Sequence, residues 1–408
     1  MSALYGDADR TESIATVHAA LEAGVTLLDT GDFYAMGHNE MLVGEALRTA
    51  PAARREQALV SVKFGALRSP DGDWAGYDGR PAAVKNFAAY SLQRLGVDHI
   101  DVYRMARLDP DVPIEETVGA ISELIEKGYV RHVGLSEVGA DTIRRAAATA
   151  PIADLQIEYS LISRGIEESV LPTTRELGIA ITAYGVLSRG LISGHFARDR
   201  QLAANDFRAY SPRFQGENLQ HNLDLVEALR KIAEQKGVSV AQIAIAWVLS
   251  RGDDIVPLVG ARTRERLSES LGALDVTLDH ADLAAIERAV PADAAAGDRY
   301  PARRWPTWAA SDQPPARYGL GHATDAPDAD RRAHPRSHRG GAAPPRPGQG
   351  HRGRRGPRAR RQPWQRLPAL PYEGGAARSG HQAVAGPDHP GARGHRRGTG
   401  PGPGDPGA

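Results

Sequence analysis

Short apolar runs alternate with helix-length amphipathic segments about seven times between residues 11 and 289. Such alternation argues for a parallel sheet clothed in helices, because parallel neighbours need a long crossover and a helix supplies it. The unit recurs every roughly 25–45 residues, and no Gly-x-Gly-x-x-Gly follows any of the runs. A (β/α)8 TIM barrel therefore fits better than an open dinucleotide-binding sheet. One strand–helix unit is short of eight, and the one lacking is the first strand.

The runs predict strands at 25–29, 58–63, 99–104, 130–135, 153–157, 179–184 and 254–259. Helices are expected at 11–23, 39–48 and 81–95, and from Pro113 toward Gly128. Further helices follow at 141–148, 167–177, 219–236, 239–250, 263–271 and 279–289. Their ends carry the usual signals. Gly96 follows one helix, Pro113 opens another with Glu115 and Glu116 in its first turn, and Ser239 with Gln242 has capping-box spacing. Residues 66–80 read as a Gly- and Asp-rich loop, and Trp247 lies on an apolar helix face and reads as core.

The stretch Val25-Thr-Leu-Leu-Asp-Thr-Gly-Asp-Phe-Tyr-Ala-Met-Gly-His-Asn-Glu40 concentrates the chemistry. A buried strand ends in Asp29, and Tyr34 follows on the loop. Enzymes of this fold class place reactive groups at the carboxyl ends of their strands. These residues alone are equally compatible with an N-capping Asp and a loop Tyr that has no role.

Composition divides the 408 residues in two. Residues 303–408 hold 19 Arg, no Lys and 7 acidic residues, while the whole chain is formally neutral. This tail is rich in Pro, Gly, Ala and His and poor in Ile, Val and Leu, so it is expected to be disordered. Residues 1–302 suffice for one large domain. The absence of Cys excludes thiolate catalysis and a disulfide scaffold. With no leader-like start and no long apolar run, a soluble cytoplasmic protein is the expectation. His38, His99 and His132 lack metal-ligand spacing, so no metal is expected.

Six segments in order resemble the aldo-keto reductase family over residues 2–302. They are Leu28-Asp-Thr-Gly-Asp-Phe-Tyr34 with Gly37-His-Asn-Glu40, Ser61-Val-Lys-Phe-Gly65, and Val133-Gly-Leu-Ser-Glu137. The others are Leu155-Gln-Ile-Glu-Tyr-Ser160, Ala183-Tyr-Gly-Val-Leu-Ser-Arg-Gly190, and Val256-Pro-Leu-Val-Gly-Ala-Arg-Thr-Arg-Glu-Arg266 running on to Glu269. The resemblance implies a barrel that binds NADP(H) and transfers hydride to a small carbonyl substrate, an aldehyde or ketone. It implies catalytic roles for Asp29, Tyr34 and Lys63, with Tyr34 as proton donor. It assigns cofactor binding to Ser136, Glu137, Gln156, Tyr184, Gly185, Leu187 and Arg189. Gly260, Arg262, Arg266, Glu269 and Ser270 complete that set. The cluster Arg262, Arg264 and Arg266 at a helix start favours phosphate over a merely solvated helix face, for guanidiniums and helix N–H groups both attract anions.

Three departures accompany the resemblance. The family's fourth catalytic residue is a histidine, where Met105-Ala-Arg-Leu-Asp-Pro110 presents Ala106. Arg104, in phase with Ala106, is read as a packed barrel-interior or ion-paired residue, the alternative being a donor extended toward the site. The start lacks the family's first strand, which would leave a gap with two unpaired edges between the Asp29 and Val256 strands. An internal start codon is the simplest expectation for that start. After Asp298-Arg-Tyr-Pro301 the pattern stops, as a frameshift in a GC-rich gene would produce. A nucleic-acid-binding arm using Trp305, Trp308 and Trp364 is the weaker alternative for the tail. For the barrel, the alternatives are a catalytically weak nucleotide-binding sensor or partner subunit, and a defective truncated product. Substrate identity and oligomeric state are not legible.

Overall fold

The computed structural model describes residues 8–203 and 206–300 and the backbone of 373–375. Strands β1 (Leu27–Gly31), β2 (Leu59–Phe64), β3 (Ala66–Arg68), β4 (Trp74–Tyr77) and β5 (Ile100–Met105) come first. They are followed by β6 (Val130–Ser136), β7 (Ile152–Glu158), β8 (Ala180–Tyr184), β9 (Ile255–Val259) and β10 (Glu373–Gly375). The helices are α1 (Arg10–Glu22), α2 (His38–Thr49), α3 (Ala52–Arg55), α4 (Pro81–Leu95), α5 (Ile114–Glu126) and α6 (Ala140–Thr149). Then come α7 (Val170–Glu176), α8 (Gly216–Lys236), α9 (Val240–Leu249), α10 (Arg264–Leu271) and α11 (His280–Ala289).

Strands β1, β2, β5, β6, β7, β8 and β9 run parallel, each hydrogen-bonded to the next, and curl into a barrel. The expected gap is not open. β10 lies antiparallel between β1 and β9, pairing Leu28 with Gly374 and Val259 with Gly374, and closes the barrel. Unpaired edge groups gain by taking any strand that reaches them, and sequence pattern could not show that a three-residue segment so far along the chain would do so. The rest of the tail expected to be disordered, with its tryptophans, lies outside the described residues.

Local signals hold well. α4 has Pro81 in its first turn and left-handed Gly96 as its cap, and the Ser239–Gln242 capping box forms. α5 buries Ile114, Val118, Ile121 and Leu124 along one face. Trp247 is core, 1% exposed. Two corrections concern β-structure. The first strand begins at Leu27 instead of Val25, so Asp29 sits in mid-strand. Residues 66–77, read as loop, form the antiparallel β3–β4 hairpin.

Candidate active site

Register places the polar residues of the barrel interior. Asp29 on β1 is paired with Ser61 on β2, and Lys63 with Arg104 on β5. Asp29 is fully buried, and Lys63 donates to its Oδ2 in a close ion pair. Its Oδ1 accepts from the Ser61 hydroxyl at 2.8 Å and from the Gln156 amide at 2.9 Å. Asp29 therefore has no face toward the cleft; it holds Lys63 from behind.

Tyr34 stands on the turn after β1. Ala35 (φ 48°) and Met36 (φ 53°) are left-handed there, as is Gly37 (φ 89°). For alanine and methionine this conformation costs about 1 kcal/mol each. At Gly37 a Cβ would also come within 2.7 Å of the Arg94 side chain. The turn delivers Tyr34, 8% exposed, so that the Lys63 ammonium lies 5.0 Å from its ring centroid. Phe33 packs edge-on to Tyr34 at 4.8 Å, and Ala66 and Ala106 complete the cluster with Trp74 and Tyr77 at its rim.

A cleft of about 580 Å³ runs from this aromatic end across the carboxyl ends of the strands. Tyr34 and Lys63 line it, and so do Ser136, Gln156, Tyr184, Gly185, Leu187 and Arg189. At the far end it is bounded by Gly260, Arg262, Arg266, Glu269 and Ser270. All but two of the catalytic and cofactor residues that the resemblance assigns thus meet in one cavity. The exceptions are Asp29, behind Lys63, and Glu137.

Glu137 is turned into the wall. Its Oε1 accepts from the Tyr184 hydroxyl at 2.8 Å and from the Glu158 backbone N–H at 3.0 Å, and Oε2 accepts from Arg299 at 3.0 Å. Burial disfavours its charge, but the Arg299 and Arg107 guanidiniums outweigh burial and hold the carboxyl at about 2. Burial, then the Glu137 carboxylate, push the Tyr184 phenol well above the ordinary phenol range, so it remains a donor. Glu137 braces the cleft wall and does not line the cleft.

Arg264 also leaves the expected cluster. Its guanidinium and its backbone N–H both donate to Glu12 of α1, at 2.9 Å each. Arg266 pairs with Glu269 at 3.0 Å, and His195 bonds the same carboxylate at 2.8 Å. Arg104 is an interior ion-paired residue, as its strand phase suggested, donating twice to Asp154 at 2.8 and 2.9 Å.

Sequence reading missed Arg107, Glu158 and Tyr300. Arg107 donates to the Ala106 carbonyl at 2.7 Å and to the Tyr300 hydroxyl at 3.4 Å, and Tyr300 lies 3.1 Å from the Tyr184 hydroxyl. Tyr300 follows Arg299, whose ion pair with Glu137 brings the segment to the cleft. Neither Arg299 nor Tyr300 has a local sequence pattern that marks it.

Tyr34 and Lys63 thus stand at one end of a cleft with Asp29 behind Lys63, and Arg262 and Arg266 bound its other end. The aldo/keto reductase family model matches residues 2–291. The chain belongs to the aldo/keto reductase family. Among curated relatives, "Probable aldo-keto reductase 1" of Glycine max is 41% identical over 289 residues, covering 71% of this chain and 82% of that protein. Among solved structures, the glycerol dehydrogenase AKR11B4 from Gluconobacter oxydans is 30% identical, with a TM-score of 0.65 over 71% of this chain and 88% of that one. An aldo/keto reductase from Klebsiella pneumoniae, solved with NADP and acetate, is 26% identical, with a TM-score of 0.55 over 72% and 89%. Members of this family are oxidoreductases, and the family acts on small carbonyl compounds. Among the described residues, no helix is long and apolar enough to cross a membrane.

Proposed function

We propose that the protein reduces small aldehydes or ketones to alcohols with NADPH, Tyr34 giving the proton. The observation that carries this reading is the Lys63 ammonium 5.0 Å from the Tyr34 ring, in a cleft with room for a nucleotide and a small carbonyl. The Klebsiella relative's NADP supports the choice of cofactor.

The cleft residues fit such a group. The Ser136 Oγ is buried with no hydrogen-bond partner, although Ser136 lines the cleft, so a carboxamide there would satisfy it. Arg107 and Arg189 line the middle of the cleft beside Tyr184 and Gly185. Guanidiniums placed there suit a diphosphate. Arg262 and Arg266 at the far end would hold a 2′-phosphate, and Gly260, Glu269 and Ser270 would border the adenosine. NADPH, when bound, supplies a hydride to the carbonyl carbon.

The chain's own part is proton delivery. A free phenol titrates near pH ~10, so it is a weak acid at neutrality. A cation beside it stabilises the phenolate that remains after the carbonyl oxygen takes the proton. Lys63 provides that cation, and Asp29, Ser61 and Gln156 keep Lys63 in place. The aromatic end formed by Phe33, Trp74 and Tyr77 favours a substrate with an apolar body.

Tyr34→Phe should abolish NADPH-dependent reduction across an aldehyde and ketone panel while NADPH still quenches protein fluorescence. Retained turnover would remove the assignment. The second reading, a nucleotide-binding barrel with feeble chemistry, is favoured by the Ala106 methyl at the cleft floor, which cannot polarise a carbonyl. Wild-type binding of NADPH without turnover on the panel would select it.

A further inference from the structure

Beneath the Lys63–Asp29 pair lies a second buried ion pair. Arg104 is 0% exposed and Asp154 is 7% exposed. The Arg104 Nη1 is 3.7 Å from the Asp29 Oδ1, while its Nη2 donates to both Asp154 oxygens. The Thr182 hydroxyl closes the far side, donating to Asp154 at 2.5 Å. Four charges therefore alternate through the barrel: Lys63, Asp29, Arg104, Asp154. Nη1 and Nε of Arg104 make no hydrogen bond.

The arrangement is built in by three neighbouring strands. Gly134 on β6 is paired with Asp154 on β7, and a Cβ on it would come within 2.7 Å of both Arg104 Nε and Asp154 Oδ1. Only glycine leaves room for the pair. Burying two more charges is costly unless each is compensated, so a second pair against the first invites a reason beyond packing.

We propose that Arg104 is a positioning residue for the Tyr34 proton. It draws on the negative charge of Asp29, which then neutralises Lys63 less completely, so the Tyr34 phenol faces a stronger positive field and releases its proton more readily. Asp154 offsets Arg104 from the side remote from Asp29. In a low-dielectric interior such shifts of charge are felt strongly. The inference rests on Tyr34 as proton donor.

Other ionisable groups share the cleft with Tyr34: Lys63 on β2, Tyr77 on β4, Arg107 after β5, Glu158 on β7, Tyr184 on β8 and Tyr300. Asp32 is on its own loop. The variants below leave all of them in place.

The test is phenol ionisation at ~295 nm in the full-length protein without cofactor, each variant read against its own Tyr34→Phe counterpart so that only Tyr34 contributes. Arg104→Met should raise the midpoint by about one pH unit. Asp154→Asn keeps the shape, removes the opposing charge, and should lower it. Arg104→Lys should return it toward wild type. The pH profile of turnover should move in the same directions. Midpoints unchanged in both Arg104→Met and Asp154→Asn, whatever happens to melting temperature, would make the pair merely structural and overturn the proposal. If Arg104→Met does not fold, the sign of the Asp154→Asn shift decides alone. Turnover that survives Tyr34→Phe while the midpoints move would strike the proton-donor reading and leave the electrostatic link standing.

Discussion

The Tyr184 hydroxyl donates to the Glu137 carboxylate at 2.8 Å, joining the ends of β8 and β6 across the mouth of the barrel. The same carboxylate anchors Arg299, so one buried group fixes both a cleft wall and the segment that carries Tyr300.

Glu137→Gln should cost about 3 kcal/mol at neutral pH, because it removes the buried charge that the Arg299 and Arg107 guanidiniums face. A carboxyl held below its ordinary value stabilises the fold above that value and loses the effect on acidification. The gap between wild type and variant should therefore narrow as pH falls from 4.5 toward about 2. Urea unfolding at several pH values reads it; a gap independent of pH would mean that charge is not what Glu137 contributes.

Asp32 behaves in the opposite sense. Burial first, and the Glu40 carboxylate second, push its carboxyl up to about 8. A group that binds its proton more tightly when folded favours the fold below 3.8 and loses that contribution as pH rises through 8. Asp32→Asn has no charge to bury, so its melting temperature should exceed the wild type's at pH ~9 and match it near pH ~4. Equal melting temperatures at both would show that Asp32 ionises without penalty.

Arg266 is half-exposed and shares Glu269 with His195 at the cleft's far end. Arg266→Ala should weaken NADPH by about tenfold or more and NADH much less, since a charge-assisted contact is worth roughly 1.5–3 kcal/mol. Fluorescence titration with both nucleotides measures this, and an equal loss for the two would separate Arg266 from the 2′-phosphate.

Ala106 packs with Phe33, Tyr34 and Ala66 at the reactive end. An imidazole there would supply a hydrogen-bond donor to the carbonyl oxygen as charge develops, an effect typically worth about 10²–10³ in turnover. Ala106→His should therefore speed reduction of simple aldehydes. A slower variant across a broad aldehyde and ketone panel would mean that the space belongs to the substrate.

The sequence by itself determined the strand–helix order, the barrel class, and the strand-end placing of Tyr34 and Lys63. Those follow from local periodicity, and signals such as Pro81, Gly96 and the Ser239–Gln242 box act within one turn of helix. It read Arg104 as a packed interior or ion-paired residue but could not name Asp154, fifty residues on, as the partner. It placed Glu137 among cofactor contacts, whereas Arg299, 162 residues away, draws that carboxylate into the wall. It left the barrel open, and only the tertiary structure set β10 between β1 and β9. Periodicity reports which face of an element is buried. The partner of a buried charge or an open strand edge depends on which distant segments the closed barrel brings within hydrogen-bond reach, and that is decided in three dimensions.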